Sequence, residues 1–311
     1  MMPDQLTGRF LAFPGQGSQS PGMGQALVSR FPVAAEAFDE ASEALDLDLR
    51  ALLWSSSASR LTRTENAQPA ILLYSLAALR VWRAECEASG DGTIAPIWAA
   101  GHSVGALAAA VAVGALGLAD AMRLARRRGE LMASAPGDGG MLAVAVTSAA
   151  SARTTTELAD ELGLDVACYN GDRQLVLSGD LQLIEDASRI LGSKSLVLEV
   201  SHAFHSRLMD PIVPEWRRTV AGVRFADPDV PYLSASTGQL HRTADGIASD
   251  LADGVRKPVR WQVVTERAQS AAAGLIFGNG SPLKRIWRRT QLGDRVEVVD
   301  DSFRKDARRA A

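Results

Sequence analysis

The chain has 311 residues, of which 47% are hydrophobic and 22% charged, and it contains 27 glycines and 13 prolines. This composition is that of a globular protein and excludes a disordered chain, a collagen and a coiled coil, while the formal net charge of −3 gives no general attraction to nucleic acid or an anionic membrane. The sequence contains no run of about 18 apolar residues, so it predicts no membrane span. Its two cysteines lack a CxxC or Cys/His pattern, so we expect no disulfide framework, no metal site and a cytoplasmic location.

The chain begins with a predicted strand that runs into a glycine-rich turn. Residues 9–13 are apolar enough for a short buried strand, and P-G-Q-G-S-Q at 14–19 ends it. Helical periodicity follows over residues 22–46 and again over 66–89. We interpret both stretches as helices that pack against the core.

A second predicted strand, at residues 94–100, runs into the sequence G-H-S-V-G at 101–105 and then into an alanine-rich helix at 106–116. The glycines flank Ser103 in the pattern G-x-S-x-G, in which a strained turn between a strand and a helix exposes a serine hydroxyl. The sequence therefore offers Ser103 as a nucleophile, with a structural turn that merely tolerates glycine as the alternative.

The middle of the chain has shorter elements in the order βαββαβ, which is that of a ferredoxin-like domain. Strands are predicted at 141–146, 165–169, 174–177 and 195–200, and helices at 150–162 and 181–191. We expect a small domain, 139–200, inserted into a large domain formed by 1–138 and 201–311.

A serine nucleophile needs a base, and the chain has four histidines. His102 adjoins the serine and is expected to point away from its hydroxyl, whereas His241 belongs to a polar stretch typical of a surface loop. His202 and His205 lie where the inserted domain returns the chain to the large domain, and substrates bind in clefts between domains. Position alone leaves these two as candidates.

Four motifs together resemble the malonyl-CoA:acyl carrier protein transacylase family, which includes acyltransferase domains of polyketide synthases. They are F-P-G-Q-G-S-Q at 13–19, G-H-S-V-G at 101–105, R-G-x-L-M at 128–132 and H-A-F-H-S at 202–206. The resemblance extends over nearly the whole chain and implies an α/β fold, with an α/β-hydrolase-like large domain and a ferredoxin-like insert. This agrees with the predicted order of elements.

The resemblance also implies a role for each residue of a catalytic dyad. Ser103 would form an acyl-enzyme ester, and His205 would be the general base, with its imidazole oriented by the backbone carbonyl of Arg260. The backbone N–H groups of Gln16 and Val104 would form the oxyanion hole.

The substrate-binding residues follow from the same resemblance and are Arg128, Phe204, His202 and Gln68. Arg128 matches the arginine that holds the free carboxylate of a malonyl group, because its planar guanidinium can bind a carboxylate through two hydrogen bonds. Phe204 matches the malonyl-selective members, in which an aromatic ring leaves little room for a substituent at C2. Ala106 departs from the family, since many relatives have glutamate there.

The expected partners are malonyl-CoA and an acyl carrier protein. Coenzyme A would be a substrate, and no cofactor is expected because no metal, nucleotide or flavin motif occurs. With no carrier segment in the sequence, we expect the acceptor to be a separate, acidic protein. Two basic clusters are candidate contacts: Lys284, Arg285, Arg288 and Arg289, and Arg304, Lys305, Arg308 and Arg309.

Three alternatives remain at this point. A serine esterase or thioesterase shares G-x-S-x-G and a histidine, but such enzymes usually add a carboxylate, and no residue can be assigned to that role. A trans-acting acyltransferase could move another acyl group between carrier proteins. A catalytically silent carrier-binding subunit would have no need for Ser103, His205 and Arg128 together. The pathway, whether polyketide synthesis, fatty acid synthesis or a malonate decarboxylase system, stays open.

Overall fold

The computed structural model describes residues 6–89, 96–288 and 290–304. Within this part of the chain the strands form two sheets, one of six strands and one of four. The strands in chain order are β1 (Leu6–Phe13), β2 (Trp98–Gly101), β3 (Gly139–Ala145), β4 (Asp165–Tyr169), β5 (Gln174–Asp180), β6 (Ser195–Val197), β7 (Tyr232–Leu233), β8 (Leu240–His241), β9 (Ala271–Phe277) and β10 (Val296–Val299).

The larger sheet has the strand order β10-β9-β1-β2-β7-β8, and its neighbours run parallel except for β7 and β8. The predicted strand at 9–13 is confirmed as the end of β1. The strand predicted at 94–100 is confirmed from Trp98 onward, while residues 94 and 95 lie outside the described residues. Phe13 pairs with Gly101, so β1 and β2 end together and the turns that follow them meet at one edge.

Helices cover the large sheet and one face of the small sheet. In the described residues none of them is both long and apolar enough to cross a membrane. The helices are α1 (Gln25–Arg30), α2 (Pro32–Leu45), α3 (Leu49–Trp54), α4 (Ala58–Thr62), α5 (Thr64–Ser89), α6 (Gly105–Ala112), α7 (Leu118–Ala133), α8 (Ala149–Glu161), α9 (Leu181–Leu191), α10 (Val213–Ala221), α11 (Ala244–Asp253), α12 (Trp261–Ala268) and α13 (Ser281–Trp287).

The helix predicted over 22–46 is two helices, α1 and α2. Phe31 separates them with an extended backbone, φ −128° and ψ 113°. The reason is Pro32, because the ring of a proline disfavours the helical conformation in the residue before it. The helix predicted over 66–89 is confirmed as α5, which contains Pro69. Proline has no N–H to donate to the carbonyl four residues earlier, that of Glu65. This carbonyl accepts a hydrogen bond from Arg126 Nη1 at 3.0 Å instead, so the helix tolerates the proline.

The four-stranded sheet has the order β4-β5-β3-β6 and is antiparallel throughout. With α8 between β3 and β4 and α9 between β5 and β6, the predicted βαββαβ order and the ferredoxin-like topology are confirmed. The last strand is shorter than predicted and ends at Val197. After it the chain turns, with Val200 N–H donating to the carbonyl of Leu198.

The two faces of the small sheet have different neighbours. Leu142, Val144 and Leu177 pack with Ile184 of α9 in a core of their own. Side chains that alternate with these, such as Met141 and Ala143, face the opposite way and line a cavity against the large sheet. The small sheet therefore forms one wall of a cleft whose other wall carries Ser103.

Candidate active site

Ser103 lies on the turn between β2 and α6, and its backbone is strained. Its φ is +52°, in the left-handed region that non-glycine residues rarely adopt. A Cβ at Gly101 would lie 1.9 Å from the backbone of Gly105, and a Cβ at Gly105 would lie 2.4 Å from the carbonyl oxygen of Phe13. Glycine at both positions therefore permits the tight turn that holds Ser103 at the end of the sheet.

His205 is buried and bonds to the serine. Ser103 Oγ and His205 Nε2 are 2.8 Å apart, and His205 Nδ1 is 2.9 Å from the backbone carbonyl oxygen of Lys257. Because that carbonyl can only accept, Nδ1 carries the proton and Nε2 is free to accept the serine proton. Burial, reinforced by the nearby charge of Arg128, lowers the pKa of His205 to about 3, so the ring is neutral near pH 7.

The prediction that the carbonyl of Arg260 orients this histidine is wrong, because Lys257 supplies the carbonyl. Arg260 is the N-cap residue that precedes α12, and its carbonyl accepts the N–H of Val263 at 3.1 Å in the first turn of that helix. Lys257 lies three residues earlier in the loop after α11, where no helix engages its carbonyl. A backbone carbonyl has no side-chain signature, so sequence could not distinguish the two positions.

The turns after β1 and β2 touch at the serine. A Cβ at Gly15 would stand 2.6 Å from the carbonyl oxygen of His102, so the two backbones meet without an intervening side chain. Within the described chain, the backbone N–H groups of Gln16 and Val104 donate to no other group. The fold thus leaves both N–H groups without a hydrogen-bond acceptor in the described turns that meet near Ser103, and their role in an oxyanion hole stays a prediction.

Arg128 is buried next to the nucleophile. Its Nη2 donates to Ser103 Oγ at 3.2 Å and its Nη1 to Gln68 Oε1 at 2.8 Å. Burial lowers the pKa of Arg128 to about 10, and no acidic group in the described residues offsets that effect, so the guanidinium is charged but lacks a counter-ion. A buried cation of this kind is suited to an anionic ligand.

The helix packing explains why Arg128, of the three consecutive arginines at 126–128, points inward. Gly129 lies against the first turn of α5, where a Cβ would be 2.8 Å from the carbonyl oxygen of Thr64. This close contact brings α7 to the site and buries Arg128. Arg126 instead pairs with Glu130, and Arg127 with Glu215, on the more exposed face of the helix.

Gln68 is brought to the site but does not line the main cavity. It is buried, and its carbonyl oxygen supports Arg128 while its amide donates to Thr64 Oγ1 at 3.0 Å and to Met132 Sδ at 3.3 Å. Sequence reasoning missed Thr64, whose position one helical turn before Gln68 is the signal that both residues share a face of α5.

A cavity of about 810 Å³ lies between the two sheets and reaches Ser103, Arg128 and His205. Its wall from the small sheet is apolar, with Met141 and Val176 among its residues. The exposed parts of the cavity carry three arginines, Arg173, Arg285 and Arg288, together with the acidic residues Asp172, Glu199 and Glu266.

Phe204 and His202 occupy different places. Phe204 is buried and lines the cavity. His202 lies beside the Phe204 ring, with centroids 6.2 Å apart, and its Nδ1 bonds to Ser201 Oγ at 2.7 Å. His202 is not among the residues that line the cavity and is half-buried beside Phe204.

Ala106 borders a second, small cavity behind the nucleophile. This cavity of about 30 Å³ is lined by Ser103, Arg128 and His205 together with Asp250. The methyl group of Ala106 contributes no charge there. The guanidinium of Arg128 therefore meets no carboxylate from this position.

Comparison with known proteins gives consistent results. The chain matches the acyl transferase domain family over residues 10–277. It is 36% identical over 299 residues to the malonyl CoA-acyl carrier protein transacylase of Bacillus subtilis, covering 93% of this chain and 92% of that protein. A phenolphthiocerol synthesis polyketide synthase type I of Mycobacterium marinum is 38% identical over 263 residues, or 81% of this chain, which spans only 12% of that longer protein.

The fold also matches solved structures. A type II polyketide synthase acyl-carrier protein in complex with its malonyl-transacylase has a chain that superimposes with a TM-score of 0.83 and 31% identity, covering 94% of this chain and 95% of that one. The family match over most of the chain, the relative of similar length and the shared two-sheet fold agree with the geometry around Ser103. The chain belongs to the acyl transferase family.

Proposed function

We propose that this protein transfers a malonyl group from coenzyme A to the phosphopantetheine thiol of an acyl carrier protein through an ester on Ser103. The observation that carries this proposal is the buried Arg128 guanidinium, which has no acidic partner in the described residues and lies 3.2 Å from Ser103 Oγ. A dicarboxylic acyl group on the serine would place its free carboxylate within reach of that charge. The Bacillus subtilis relative, a malonyl CoA-acyl carrier protein transacylase, supports the same substrate.

In the first half-reaction, His205 Nε2 takes the proton of Ser103 as Oγ attacks the thioester carbonyl carbon of malonyl-CoA. The negative oxygen of the tetrahedral intermediate accepts hydrogen bonds from the N–H groups of Gln16 and Val104. When the C–S bond breaks, the imidazolium returns its proton to the departing coenzyme A thiolate. The products are free coenzyme A and malonyl-Ser103.

In the second half-reaction the carrier thiol gives its proton to His205 Nε2 and attacks the ester carbon. The C–O bond breaks, Ser103 Oγ recovers the proton, and malonyl leaves on the carrier. The cavity of about 810 Å³ is large enough for a pantetheine arm. The exposed Arg173, Arg285 and Arg288 along it suit the phosphates of coenzyme A and an acidic carrier.

The basic clusters predicted from the sequence contribute only in part to this proposal. Arg285 and Arg288 line the cavity, and Arg304 is exposed. Arg289, Lys305, Arg308 and Arg309 lie outside the described residues. We therefore propose the first cluster as the carrier contact.

Phe204 is proposed to select malonyl over methylmalonyl. Its buried ring lines the cavity that Ser103 and Arg128 share, so a substituent at C2 of the acyl group would compete with the ring for space. His202, whose ring lies beside that of Phe204 and does not line the cavity, would support the position of Phe204, and Gln68 would act on the substrate through Arg128.

We propose domain boundaries that match the predicted ones: a large domain of 1–138 and 201–311, and a small domain of 139–200. The contact between the two connections supports them, since a Cβ at Gly139 would lie 2.4 Å from the backbone nitrogen of Ala203. The esterase alternative is less favoured. His205 is oriented by the carbonyl of Lys257 and not by a carboxylate, and a buried guanidinium serves no neutral ester.

The experiment that tests the function is intact-mass analysis after incubation with malonyl-CoA or acetyl-CoA, followed by addition of a carrier protein. We expect a malonyl adduct on the peptide that contains Ser103, and its transfer to the carrier. Ser103→Ala should form no adduct, while Ser178→Ala, which alters a buried serine of β5, serves as the matched control. If malonyl-Ser103 were hydrolysed faster than its malonyl group is transferred to the carrier thiol, the result would contradict a transferase.

A further inference from the structure

Thr64 is joined by hydrogen bonds to both sides of the active site. Its Oγ1 donates to Gln16 Oε1 at 2.9 Å and accepts from Gln68 Nε2 at 3.0 Å. Gln68 Oε1 in turn accepts from Arg128 Nη1 at 2.8 Å, and Arg128 Nη2 donates to Ser103 Oγ. A single buried hydroxyl thus connects the residue with the oxyanion N–H to the arginine beside the nucleophile.

The direction of these bonds fixes the orientation of the Gln68 amide. A threonine hydroxyl has one proton, and here that proton is used on Gln16, so toward Gln68 the oxygen can only accept. This keeps Gln68 Nε2 on the Thr64 side and Gln68 Oε1 on the Arg128 side. With the amide turned over, N–H groups would face the guanidinium, which is itself only a donor, and both would lose a partner.

The position of Thr64 makes the link rigid. It is the first residue of α5, it is buried, and its own carbonyl lies against Gly129, the neighbour of Arg128 on α7. Gln16, by contrast, belongs to the turn after β1 and is partly exposed. The hydroxyl of Thr64 ties this turn to the crossing of two packed helices.

We infer that Thr64 is a positioning residue that holds the oxyanion donor and the carboxylate clamp in one fixed geometry. A malonyl group must satisfy both at once, with its carboxylate on Arg128 and its thioester carbonyl oxygen on the N–H of Gln16. An acetyl group needs only the second contact. Loss of the hydroxyl should therefore slow acylation of Ser103 by both donors, and acylation by malonyl-CoA more than acylation by acetyl-CoA. This inference rests on the proposed malonyl transfer.

The test compares Thr64→Val, which replaces the hydroxyl by a methyl group of similar size, with Thr64→Ser, which keeps the hydroxyl. Single-turnover acylation of Ser103 is measured with malonyl-CoA and with acetyl-CoA. For Thr64→Val we expect about a tenfold loss of acylation rate with acetyl-CoA and about a further fivefold loss with malonyl-CoA, in line with the cost of misplaced groups. Thr64→Ser should acylate Ser103 with both donors at rates close to those of the wild type.

Two controls separate positioning from a general loss of structure. Thr155→Val removes another buried threonine hydroxyl, one that bonds to Ser151 in α8 of the small domain, and it should leave both rates unchanged. In an Arg128→Ala background, Thr64→Val should no longer alter the ratio of malonyl to acetyl rates, because the clamp it positions is gone.

The inference is overturned if Thr64→Val keeps the wild-type ratio of malonyl to acetyl rates, or if Thr64→Ser loses as much as Thr64→Val. It is also overturned if the ratio changes equally in the Arg128→Ala background. A wild type that malonyl-CoA does not acylate contradicts the proposed function instead, so the two failures are distinguishable in one data set.

Discussion

The Arg128 guanidinium donates a hydrogen bond to Ser103 Oγ at 3.2 Å, and the same oxygen lies 2.8 Å from His205 Nε2. The nucleophile is therefore held between a neutral base and a buried positive charge. This arrangement distinguishes a site for dicarboxylic acyl groups from an ordinary serine hydrolase site.

The two histidines of the H-A-F-H motif should differ sharply on mutation. His205→Ala removes the base that bonds to Ser103, and we expect both half-reactions to slow by a factor of about 10² to 10⁴. His202→Ala should matter much less, since that ring bonds to Ser201 and does not line the cavity. Stopped-flow acylation of both variants gives the comparison. A larger loss of rate for His202→Ala than for His205→Ala would contradict the assignment of His205 as the base.

Folding stability should depend on pH through His205. Its pKa is lowered from 6.5 in the unfolded chain to about 3 in the folded protein. Between these values the unfolded state binds more protons, so the free energy of unfolding contributed by this group falls as the pH falls from about 6.5 toward about 3.

Urea denaturation of the wild type and His205→Gln at several pH values measures this effect. The variant should lose less stability than the wild type between about pH 6.5 and about pH 4.5, whereas His102, also buried with a lowered pKa, contributes equally to both proteins. Parallel curves for the two proteins would mean that His205 is not held neutral by its surroundings.

Enlarging the cavity at Phe204 should change which acyl group is accepted. A clash with one methyl group costs about 1 to 3 kcal/mol, so Phe204→Ala should raise the ratio of kcat/KM for methylmalonyl-CoA over malonyl-CoA by about 10- to 200-fold. The ratio is measured with both donors in competition. If Phe204→Ala kept the wild-type ratio, Phe204 would not be the residue that determines selectivity between the two donors.

Much of the fold could be predicted because local patterns matched tertiary structure. The helix at 181–191 and the strand at 165–169 have the predicted bounds, since alternating and helical periodicities there coincide with the two faces of the small sheet. The break at Phe31 was missed, although Pro32 carries the signal, because the apolar periodicity continues through it.

The candidate site was predicted less completely, and the gaps have physical causes. Ser103 is marked by the glycines that its strained turn requires, whereas Arg128 stood among three arginines and was selected by its resemblance to a family motif. The carbonyl of Lys257 belongs to the backbone and leaves no trace in residue identity. Thr64 bonds to Gln16, 48 positions away, and only the fold brings these two together.

The central claim is that Arg128 binds the carboxylate of a malonyl group, and the most direct test is kcat/KM for malonyl-CoA and acetyl-CoA in the wild type, Arg128→Ala and Arg127→Ala. Loss of the charge-assisted contact of about 1.5 to 3 kcal/mol should lower malonyl transfer by about 10- to 150-fold in Arg128→Ala. Acetyl transfer should hold steady or rise, because the unpaired buried charge is removed as well. Arg127→Ala, which alters the neighbouring arginine paired with Glu215, should resemble the wild type. Equal losses on both donors in Arg128→Ala, or a wild type that prefers acetyl-CoA, would contradict the claim.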